Sequence, residues 1–372
     1  ITGYGSELPP DIAVHCIVYK EQLPDKGELL GIAQKAQYAA QASDESIPTL
    51  DDERQGQVVA ALRGFNAYRA EQECFMSLVK GVGIDSTRLN QSRIDMINAT
   101  PGLQVWQGGE SFSTMAGNAG AKAYFNAMIH GRLPIRLVIW IDEAEDMLAG
   151  KEGDLTGISQ AYQGKLAGHL EDTEARCVLA YGHPGTGKSL TAKCVASDAG
   201  CLCLAFDLGT MKGSLVGQSE LQLARALAME RAIVGYERGS TVWVWTTNDP
   251  SRLDSKIRSR MRGEFFYDTP DEQERLAIWS LYRARYELPL QDLPNDEGWV
   301  GREIKRCCAI AWEDHCSLRD ASKRIVSRSI VDKDIIEKRR KAAHLRYLSA
   351  QYEGVYRMPG LEDEERERSV SL

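Results

Sequence analysis

Short apolar runs alternate with helical patterns in the middle of the chain. Between about Gln104 and Asp271, most of these runs are bounded by Gly, Asp or Asn and separated by stretches in which apolar residues recur at helical spacing. The runs are IRLVIWI, CVLAYG, CLCLAFDLG and TVWVWTTN. Strands that are buried on both faces have such continuous apolar sequences, and helices connect them when they run parallel. The pattern predicts an α/β fold in which a mostly parallel sheet is sandwiched by helices.

Helical patterns flank this segment on both sides. Three precede it, after an N-terminal strand-and-turn region, in GELLGIAQKAQYAA, QGQVVAALRGF and AEQECFMSLV. Three more follow Asp271, in DEQERLAIWSLYRARYEL, GREIKRCCAIAWEDHC and KDIIEKRRKAAHLRYLSAQY, before a run of charged residues. Their apolar positions recur with the period of an amphipathic helix. We therefore expect four segments, at residues 1–100, 101–270, 271–355 and 356–372, of which the third is helical and the last is a charged tail.

The N-terminal segment resembles a later part of the same chain. ITGYGSELPPDI, at residues 1–12, aligns with TTNDPSRLDSKI at residues 246–257. LPDKGELLGIA, at residues 23–33, aligns with TPDEQERLAIW at residues 269–279. The shared order of turn, spacing and following helix favours a duplicated module over a chance similarity of two polar turns. On this hypothesis residues 1–100 are the C-terminal strand and helical lid of a first module, and the chain starts in the middle of that module.

Composition and charge exclude several classes of function. The 372 residues are 43% hydrophobic and 26% charged, as in an ordinary globular protein, and 45 basic against 53 acidic residues give a formal charge of −8. The chain therefore has no overall basic surface for nucleic acid or for an anionic membrane. No apolar run is long enough to span a membrane. The nine cysteines contain no C-x-x-C pair and lie mostly in apolar runs, so we expect buried reduced thiols and a cytoplasmic location.

A glycine-rich loop from Gly182 to Ser189, GHPGTGKS, is the strongest chemical signal. It fits the pattern G-x-x-x-x-G-K-[ST], follows the apolar run CVLAY and precedes a helical stretch. Glycines let the backbone wrap a polyphosphate, to which amides and a helix N-terminus offer positive potential. Lys188 is expected to reach the β- and γ-phosphates, and the Ser189 hydroxyl to ligate Mg²⁺. The expected nucleotide-binding residues of this loop are Gly182, His183, Pro184, Gly185, Thr186, Gly187, Lys188, Ser189 and Leu190.

Two other apolar runs end in polar residues that suit a hydrolytic site. LVIWIDEAED ends in acids, of which Asp142 is expected to hold Mg²⁺ and Glu143 to polarise the attacking water. The competing interpretation is that these acids only favour the N-terminus of a following helix. TVWVWTTNDP ends in Asn248, whose amide is expected to lie between the γ-phosphate and the water. Alone, Asn-Asp-Pro is also a common turn.

A cluster of arginines follows in KIRSRMRGEFFYD, at Arg258, Arg260 and Arg262. The bidentate, permanently charged guanidinium group suits stabilisation of a transferring phosphate, here one bound by a neighbouring subunit. Arg258 or Arg260 is the expected catalytic residue. The competing interpretation is a solvated basic face.

Together these motifs resemble those of the AAA+ ATPases, over roughly residues 104–330. GHPGTGKS resembles their Walker A motif, LVIWIDE their Walker B, TTNDP their sensor 1 and SRLDSKIRSRMR their arginine-finger segment. In the lead-in GGESFSTMAGNAGAKAYF the resemblance places Gly117 near the adenine, and in GREIKR, which resembles the start of the sensor-2 helix, it places Arg302 on the nucleotide. A plain surface arginine is the alternative for Arg302. The resemblance implies a P-loop NTPase fold with all-α lid domains, and ATP and Mg²⁺ as cofactors.

The resemblance also implies partners. They are ATP and ADP, further copies of the chain in a homo-oligomeric ring (a hexamer by resemblance), and an unidentified macromolecular client, protein rather than nucleic acid. MKGSLVGQSELQLARAL resembles the segment in which the family carries a central-pore loop, but Leu215 stands at the position that is usually aromatic in unfoldases. This departure weakens the expectation of peptide threading.

The order of the motifs departs from the family's pattern, because the acidic run precedes the phosphate-binding loop. The piece missing between Lys188 and TVWVW has the size of residues 136–172, which lie upstream instead. This arrangement resembles rearranged-order AAA ATPases of phages and bacteria, and a phage-encoded protein would act in the host cytoplasm. Parallel strands end at one shared edge of the sheet, so both motifs can meet there in either order. The alternative assigns IDEAED to a separate degenerate module and leaves the loop without its acid.

Two other functions stay open. A nucleotide-gated scaffold would bind ATP and assemble with negligible turnover. A DNA-handling motor would need a basic stripe with interleaved aromatics, which the sequence lacks. The first module is expected to be a degenerate structural partner, because Ala13 and His15 stand opposite Arg258 and Arg260 in the repeat.

Overall fold

The computed structural model describes residues 23–145, 158–207, 216–235, 237–290 and 292–361, together with His15. Within these ranges the helices are α1 Lys26–Ser43, α2 Asp52–Leu62, α3 Ala67–Met76, α4 Ser86–Asn98, α5 Ala119–Ile129, α6 Ile158–Asp172, α7 Lys188–Asp198, α8 Val216–Val234, α9 Ser255–Arg258, α10 Glu272–Arg285, α11 Gly301–Glu313, α12 Leu318–Ser322, α13 Arg328–Val331 and α14 Lys333–Ala343. The strands are β1 Leu78–Val79, β2 Gly83–Ile84, β3 Leu103–Trp106, β4 Leu137–Ile141, β5 Arg176–Gly182, β6 Leu202–Phe206, β7 Thr241–Thr247, β8 Met261–Tyr267 and β9 Leu348–Ser349.

Seven of the described strands form one sheet, in the order β3-β6-β4-β7-β5-β8-β9. β7 is parallel to both of its neighbours, with Ile141 of β4 opposite Trp245 and Tyr181 of β5 opposite Thr247. The predicted P-loop NTPase fold with a mostly parallel sheet is confirmed, and the four predicted runs form β4, β5, β6 and β7. The carboxyl ends of β4, β7 and β5 therefore lie side by side at one edge of the sheet.

Helices cover both faces of this sheet, because its central strands are apolar on both sides. Every residue of β5 and β7 is buried. On one face, Val244 of β7 belongs to a cluster that includes Phe125 of α5 and Val195 of α7. Successive side chains of a strand point to opposite faces. Trp243 therefore lies on the other face, where its ring meets that of His169 on α6 edge-on, with 6.3 Å between the centroids.

The chain divides into two compact units. The first contains residues 1–105 and 205–238, and the second contains residues 106–204 and 239–372. Residues 205–238, which the sequence places in the nucleotide-binding segment, thus group with the N-terminal helices. The predicted catalytic and nucleotide-binding residues, from Gly117 to Arg302, all lie in the second unit.

The first unit is mainly helical in its described part. Helices α1 to α4 enclose a core that contains Leu62 and Phe65. Arg63, directly after α2, donates to the carbonyl of Val234 at 3.2 Å and pairs with Glu237 at 3.0 Å. These contacts tie the end of α8 to the helical core. The helix predicted over AEQECFMSLV ends earlier than expected, because its last residues form β1, which pairs antiparallel with β2.

The second unit carries a helical core of its own after the sheet. Trp279 of α10 and Ile304 of α11 are buried there. The helix predicted over KDIIEKRRKAAHLRYLSAQY is too long, since α14 ends at Ala343 and Leu345 has a φ of +56°. The following residues form β9, which pairs parallel with β8. The chain therefore returns to the sheet after α14.

Some expectations fall outside the described residues. They concern the strand-and-turn region before residue 23, the first half of the internal repeat, the pore-loop position Leu215 and the charged tail beyond residue 361. Among the helices that the structure describes, none combines the length and apolar character needed to cross a membrane.

Candidate functional site

The glycine-rich loop joins β5 to α7 through a backbone that favours glycine. Gly185 and Gly187 have φ angles of +89° and +100°, in the region that side chains rarely adopt. A Cβ on Gly182 would lie 2.1 Å from the carbonyl oxygen of Tyr267. α7 begins at Lys188, directly after the loop. The loop amides and the helix N-terminus together offer positive potential to an anion, as the motif predicts.

Lys188 is buried and is held by three oxygen atoms. Its ammonium group donates to the carbonyls of Gly182 at 2.8 Å and His183 at 3.0 Å, and to Oδ1 of Asn248 at 3.0 Å. Burial, with a smaller contribution from the positive charge of Arg339, lowers the pKa of Lys188 to about 7. A phosphate anion beside the ammonium group would raise this pKa again. Lys188 thus connects the loop to the end of β7 and lies where it can pair with phosphate.

The loop is also fixed by contacts outside its glycines. His183 is 3% exposed, and its Nδ1 accepts from Nη1 of Arg339 on α14 at 3.3 Å. Burial and the charge of Arg339 lower the pKa of His183 to about 4. The hydroxyl of Thr186 donates to the carbonyl of His183 at 2.8 Å, and Nδ2 of Asn118 donates to the carbonyl of Thr186 at 3.0 Å. A neutral imidazole and these two hydrogen bonds set the shape of the loop.

The first acid of LVIWIDEAED meets the phosphate-binding loop. Asp142 follows β4, and its Oδ1 accepts hydrogen bonds from the hydroxyls of Ser189 at 2.9 Å and Thr246 at 2.5 Å. Thr246 can reach Asp142 because β7 lies beside β4, and Ser189 can do so because β5 leads into α7 at the same sheet edge. The structure therefore brings together the acid and the loop of one chain.

Glu143 lies beside Asp142 on an unusual backbone. It is exposed at its side chain and has a φ of +49°, which non-glycine residues adopt rarely and often at functional sites. Its N–H donates to Oγ1 of Thr246 at 3.2 Å. The Thr246 hydroxyl therefore contacts both acidic residues. It donates to the carboxylate of Asp142 and accepts from the backbone N–H of Glu143.

Asn248 follows β7 and contacts two other elements. Its Oδ1 accepts from Lys188, and its backbone N–H donates to Oε1 of Glu145 at 2.8 Å. Glu145 is 5% exposed, and its Oε2 is buried without a hydrogen bond to any described residue. Glu145 after β4, Asn248 after β7 and Lys188 of the loop are thus connected by hydrogen bonds.

Most of the predicted residues line one cavity of about 390 Å³. Loop residues 184–190 line it together with Asp142, Glu143 and Asn248. Gly117 and Arg302, which the resemblance places at the nucleotide, line it as well. Ile278 and Tyr282 of α10 add apolar surface, so the cavity combines an apolar wall with a polar, anion-binding loop, as nucleotide sites do.

The remaining predicted residues lie off the cavity wall, namely Gly182, His183, Arg258 and Arg260. Gly182 and His183 hold Lys188 through their carbonyls. Arg258 pairs with Glu264 at 2.6 Å, and Arg260 pairs with Glu171 and donates to the carbonyl of Lys256 at 2.6 Å. Neither arginine lines the cavity of its own chain.

The donor set fits magnesium that is held together with a nucleotide. Mg²⁺ prefers oxygen ligands and is usually bound by one or two protein groups plus substrate phosphates. The Ser189 hydroxyl and the Asp142 carboxylate supply such oxygens. The described ranges contain no group of three or more His, Cys, Asp or Glu residues that could hold a metal ion by itself. Nucleotide phosphates would complete the ligand set that these two residues begin.

Sequence reasoning missed three residues that organise the site. Thr246, Glu145 and Asn118 each lie within two residues of a predicted one, in TTN, in IDEAED and beside Gly117. Nothing in their spacing indicates which partner they contact, because each bonds a residue at least 68 positions away. Their only sequence signal is the position at the end of a strand or the start of a helix.

A family of known ATPases matches the part of the chain that contains the phosphate-binding loop. Residues 178–234, which include the phosphate-binding loop, match the family model of the AAA proteins, the ATPase family associated with various cellular activities. The match supports a nucleotide-binding AAA ATPase domain in this part of the chain. It begins after Asp142 and ends before Asn248, so it covers the loop without its two partners.

Curated relatives and solved structures show similarity over longer segments. A protein of Methanocaldococcus jannaschii named as a 26S proteasome regulatory subunit homolog is 26% identical over 171 residues, 34% of this chain and 46% of that protein. The ATPase with bromodomain protein abo2 of Schizosaccharomyces pombe is 24% identical over 193 residues, 38% of this chain and 16% of that protein. The chain thus spans less than half the length of these curated relatives. The crystal structure of the FIGL-1 AAA domain aligns with a TM-score of 0.39 at 16% identity, and the alignment covers 68% of this chain and 95% of that one. The structure of the same domain in complex with ADP aligns with a TM-score of 0.35 at 14% identity, and the alignment covers 76% of this chain and 97% of that one.

Proposed function

We propose that this chain is a Mg²⁺-dependent AAA+ ATPase that hydrolyses ATP in a ring of like subunits and uses the cycle to remodel a macromolecular client. The observation that carries the proposal is the hydrogen bond between Asp142 and Ser189. It unites the acidic strand end with the phosphate-binding loop, and these are the two parts that nucleotide hydrolysis needs in one place.

Each residue of the site has a role in this proposal. Lys188 pairs with the β- and γ-phosphates, and Ser189 and Asp142 hold Mg²⁺, which neutralises charge on the phosphates when bound. Glu143 takes a proton from the attacking water. Asn248, held by Lys188, orients that water beside the γ-phosphate. The loop amides of residues 185–190 surround the phosphates, while Gly117 and Arg302 contact the rest of the nucleotide.

Ring assembly completes the proposed site. Arg258 or Arg260 acts on the phosphate of a neighbouring subunit, because both side chains are engaged away from the cavity of their own chain. The proposed ring is a hexamer in the cytoplasm, and its client is protein rather than nucleic acid. A formal charge of −8 supports that choice, since nucleic acid attracts basic surfaces.

ATP binding and phosphate release by the purified chain with Mg²⁺ test this function. The chain is expected to bind ATP and release phosphate. Lys188→Ala should weaken ATP binding by about 30-fold, which corresponds to roughly 2 kcal/mol for a charge-assisted contact. Lys338→Ala removes an exposed lysine outside the site and should change neither quantity.

The other outcomes separate the alternatives. ATP binding without phosphate release would favour a nucleotide-gated scaffold over an enzyme. Absence of ATP binding by the folded chain would overturn the nucleotide site itself. Salt-sensitive binding of single- or double-stranded DNA would favour a DNA-handling motor.

A further inference from the structure

The backbone of Asn248 lies just beyond the regular hydrogen bonding of the sheet. β7 ends at Thr247, and the next residues form a 3₁₀ turn over Pro250–Arg252 that Asp249 caps. The N–H of Asn248 donates to the Glu145 carboxylate at 2.8 Å. One buried side chain therefore fixes the point at which the chain leaves the strand.

Glu145 is placed for this task by the element before it. β4 ends at Ile141, and Glu145 follows after Asp142 and Glu143. β4 and β7 are neighbouring parallel strands, so residues that follow the two strands lie close together. Within the second unit, Glu145 thus connects the end of β4 to the end of β7.

The burial of Glu145 is costly unless its charge is compensated. A buried carboxylate requires hydrogen bonds or a nearby cation. Oε1 has the hydrogen bond to Asn248, and Lys188 is the nearby cation, since the negative charge of Glu145 acts to raise the pKa of Lys188. Lys188 itself donates to Oδ1 of Asn248 at 3.0 Å. The backbone of Asn248 is therefore fixed by Glu145, and its side chain by Lys188.

We propose that Glu145 is a positioning residue, whose carboxylate oxygen fixes the backbone of Asn248 and thereby aims the Asn248 amide at the phosphate-binding loop. This inference rests on the proposed ATPase function only for its kinetic consequence. The structural consequence, a fixed Asn248 amide, is independent of turnover. The role depends on the reach of the acceptor oxygen and not on the negative charge of the carboxylate, whose burial Lys188 compensates.

Two conservative variants distinguish the effect of the length of the Glu145 side chain from the effect of its charge. Glu145→Gln keeps the length and the acceptor oxygen but removes the charge. Glu145→Asp keeps the charge but withdraws the oxygen by one methylene. We expect Glu145→Gln to preserve the Asn248 hydrogen bond and Glu145→Asp to break it.

Amide hydrogen exchange at Asn248 tests the structural part, with the amides of β5 as an internal reference. Exchange at Asn248 should be at least tenfold faster in Glu145→Asp, and within about twofold of wild type in Glu145→Gln, with β5 unchanged in both. The reverse order of the two variants, or unchanged exchange at Asn248 in Glu145→Asp, would overturn the proposal. This measurement succeeds or fails whether or not the chain hydrolyses ATP.

Turnover tests the kinetic part. Glu145→Asp should lower kcat about tenfold and leave ATP affinity within about threefold, and it should have no further effect in an Asn248→Ala background. An equal loss of kcat in both backgrounds would show that Glu145 acts independently of Asn248 and would contradict the proposal.

Discussion

The carboxylate of Asp142 accepts a hydrogen bond from the hydroxyl of Ser189 at 2.9 Å, although the acid precedes the hydroxyl by 47 residues. The strand order explains this contact, because only β7 separates β4 from β5. Parallel strands end at one edge, so the order of the motifs along the chain does not dictate their arrangement in space. The contact favours the rearranged-order interpretation over one that assigns IDEAED to a separate module.

We predict that phosphate release depends on the hydroxyl of Thr246, which contacts both acidic residues of the site. Its hydroxyl donates to Asp142 and accepts from the N–H of Glu143, and it is 1% exposed. Thr246→Val fills the same space without either hydrogen bond. We expect phosphate release to fall by roughly 10- to 100-fold, as for other residues that orient metal ligands.

Thr246→Ser is the matched control for this prediction. It keeps the hydroxyl and loses one methyl group, so phosphate release should stay within a few-fold of wild type. Equal loss in the serine and valine variants would show that packing, rather than the two hydrogen bonds, is what the site requires from Thr246.

Acid should destabilise the chain through His183. The pKa of His183 is about 4 in the folded protein, against about 6.5 for an unperturbed imidazole, so the unfolded chain takes up a proton first as the pH falls. The free energy of unfolding is unaffected by this group above pH 6.5 and falls between pH 6.5 and 4, by up to about 3 kcal/mol.

Chemical denaturation across this pH range measures the effect. His183→Asn should flatten the decline between pH 6.5 and 4, while His130→Asn, at an exposed histidine, should leave it unchanged. A pH profile of His183→Asn that coincides with wild type would contradict the buried neutral imidazole.

Buried thiols should resist alkylation in the folded protein. Burial raises the pKa of Cys194, Cys203, Cys307 and Cys308 to about 12, so very little thiolate is present at pH 8. Mass spectrometry after iodoacetamide treatment should find these residues modified only when denaturant is present, while the half-buried Cys316 reacts sooner. Rapid modification of Cys194 in the native chain would contradict the packing of α7.

Arg260 should act only between subunits. Its guanidinium pairs with Glu171, off the cavity wall, so Arg260→Ala should leave ATP binding intact and abolish turnover in assemblies. Mixing Arg260→Ala with Glu143→Gln subunits should restore phosphate release, because some interfaces then combine an intact arginine with an intact acid. Phosphate release that stays absent in every mixing ratio would count against a shared site.

The sheet and the ends of its central strands could be predicted because they depend on local pattern. Continuous apolar runs specify β4, β5 and β7, and a glycine-rich loop before a helix specifies the anion site. Asp142 is the first polar residue after the run that forms β4, and Asn248 is the first residue after β7. Their contacts with Ser189 and Lys188 require only that β4 and β5 both run parallel to β7 and lie beside it.

Contacts between distant residues could not be predicted in the same way. Arg339 reaches His183 across 156 positions because α14 packs at the loop, and the sequence of α14 alone reads as a longer helix. β8, Met261–Tyr267, is also not predicted from the sequence, because its Arg262 belongs to the arginine cluster that is interpreted as functional. Tertiary packing decides such boundaries and pairings against local propensity.

The most direct test of the account is phosphate release by Glu143→Gln under single-turnover conditions, with ATP affinity measured alongside. If the acidic strand end upstream serves the loop at Lys188, release should fall at least about 100-fold while ATP affinity stays within about threefold. Glu313→Gln, at an exposed position on α11, should behave as wild type. Unchanged phosphate release by Glu143→Gln would contradict the assignment of this acid to the loop.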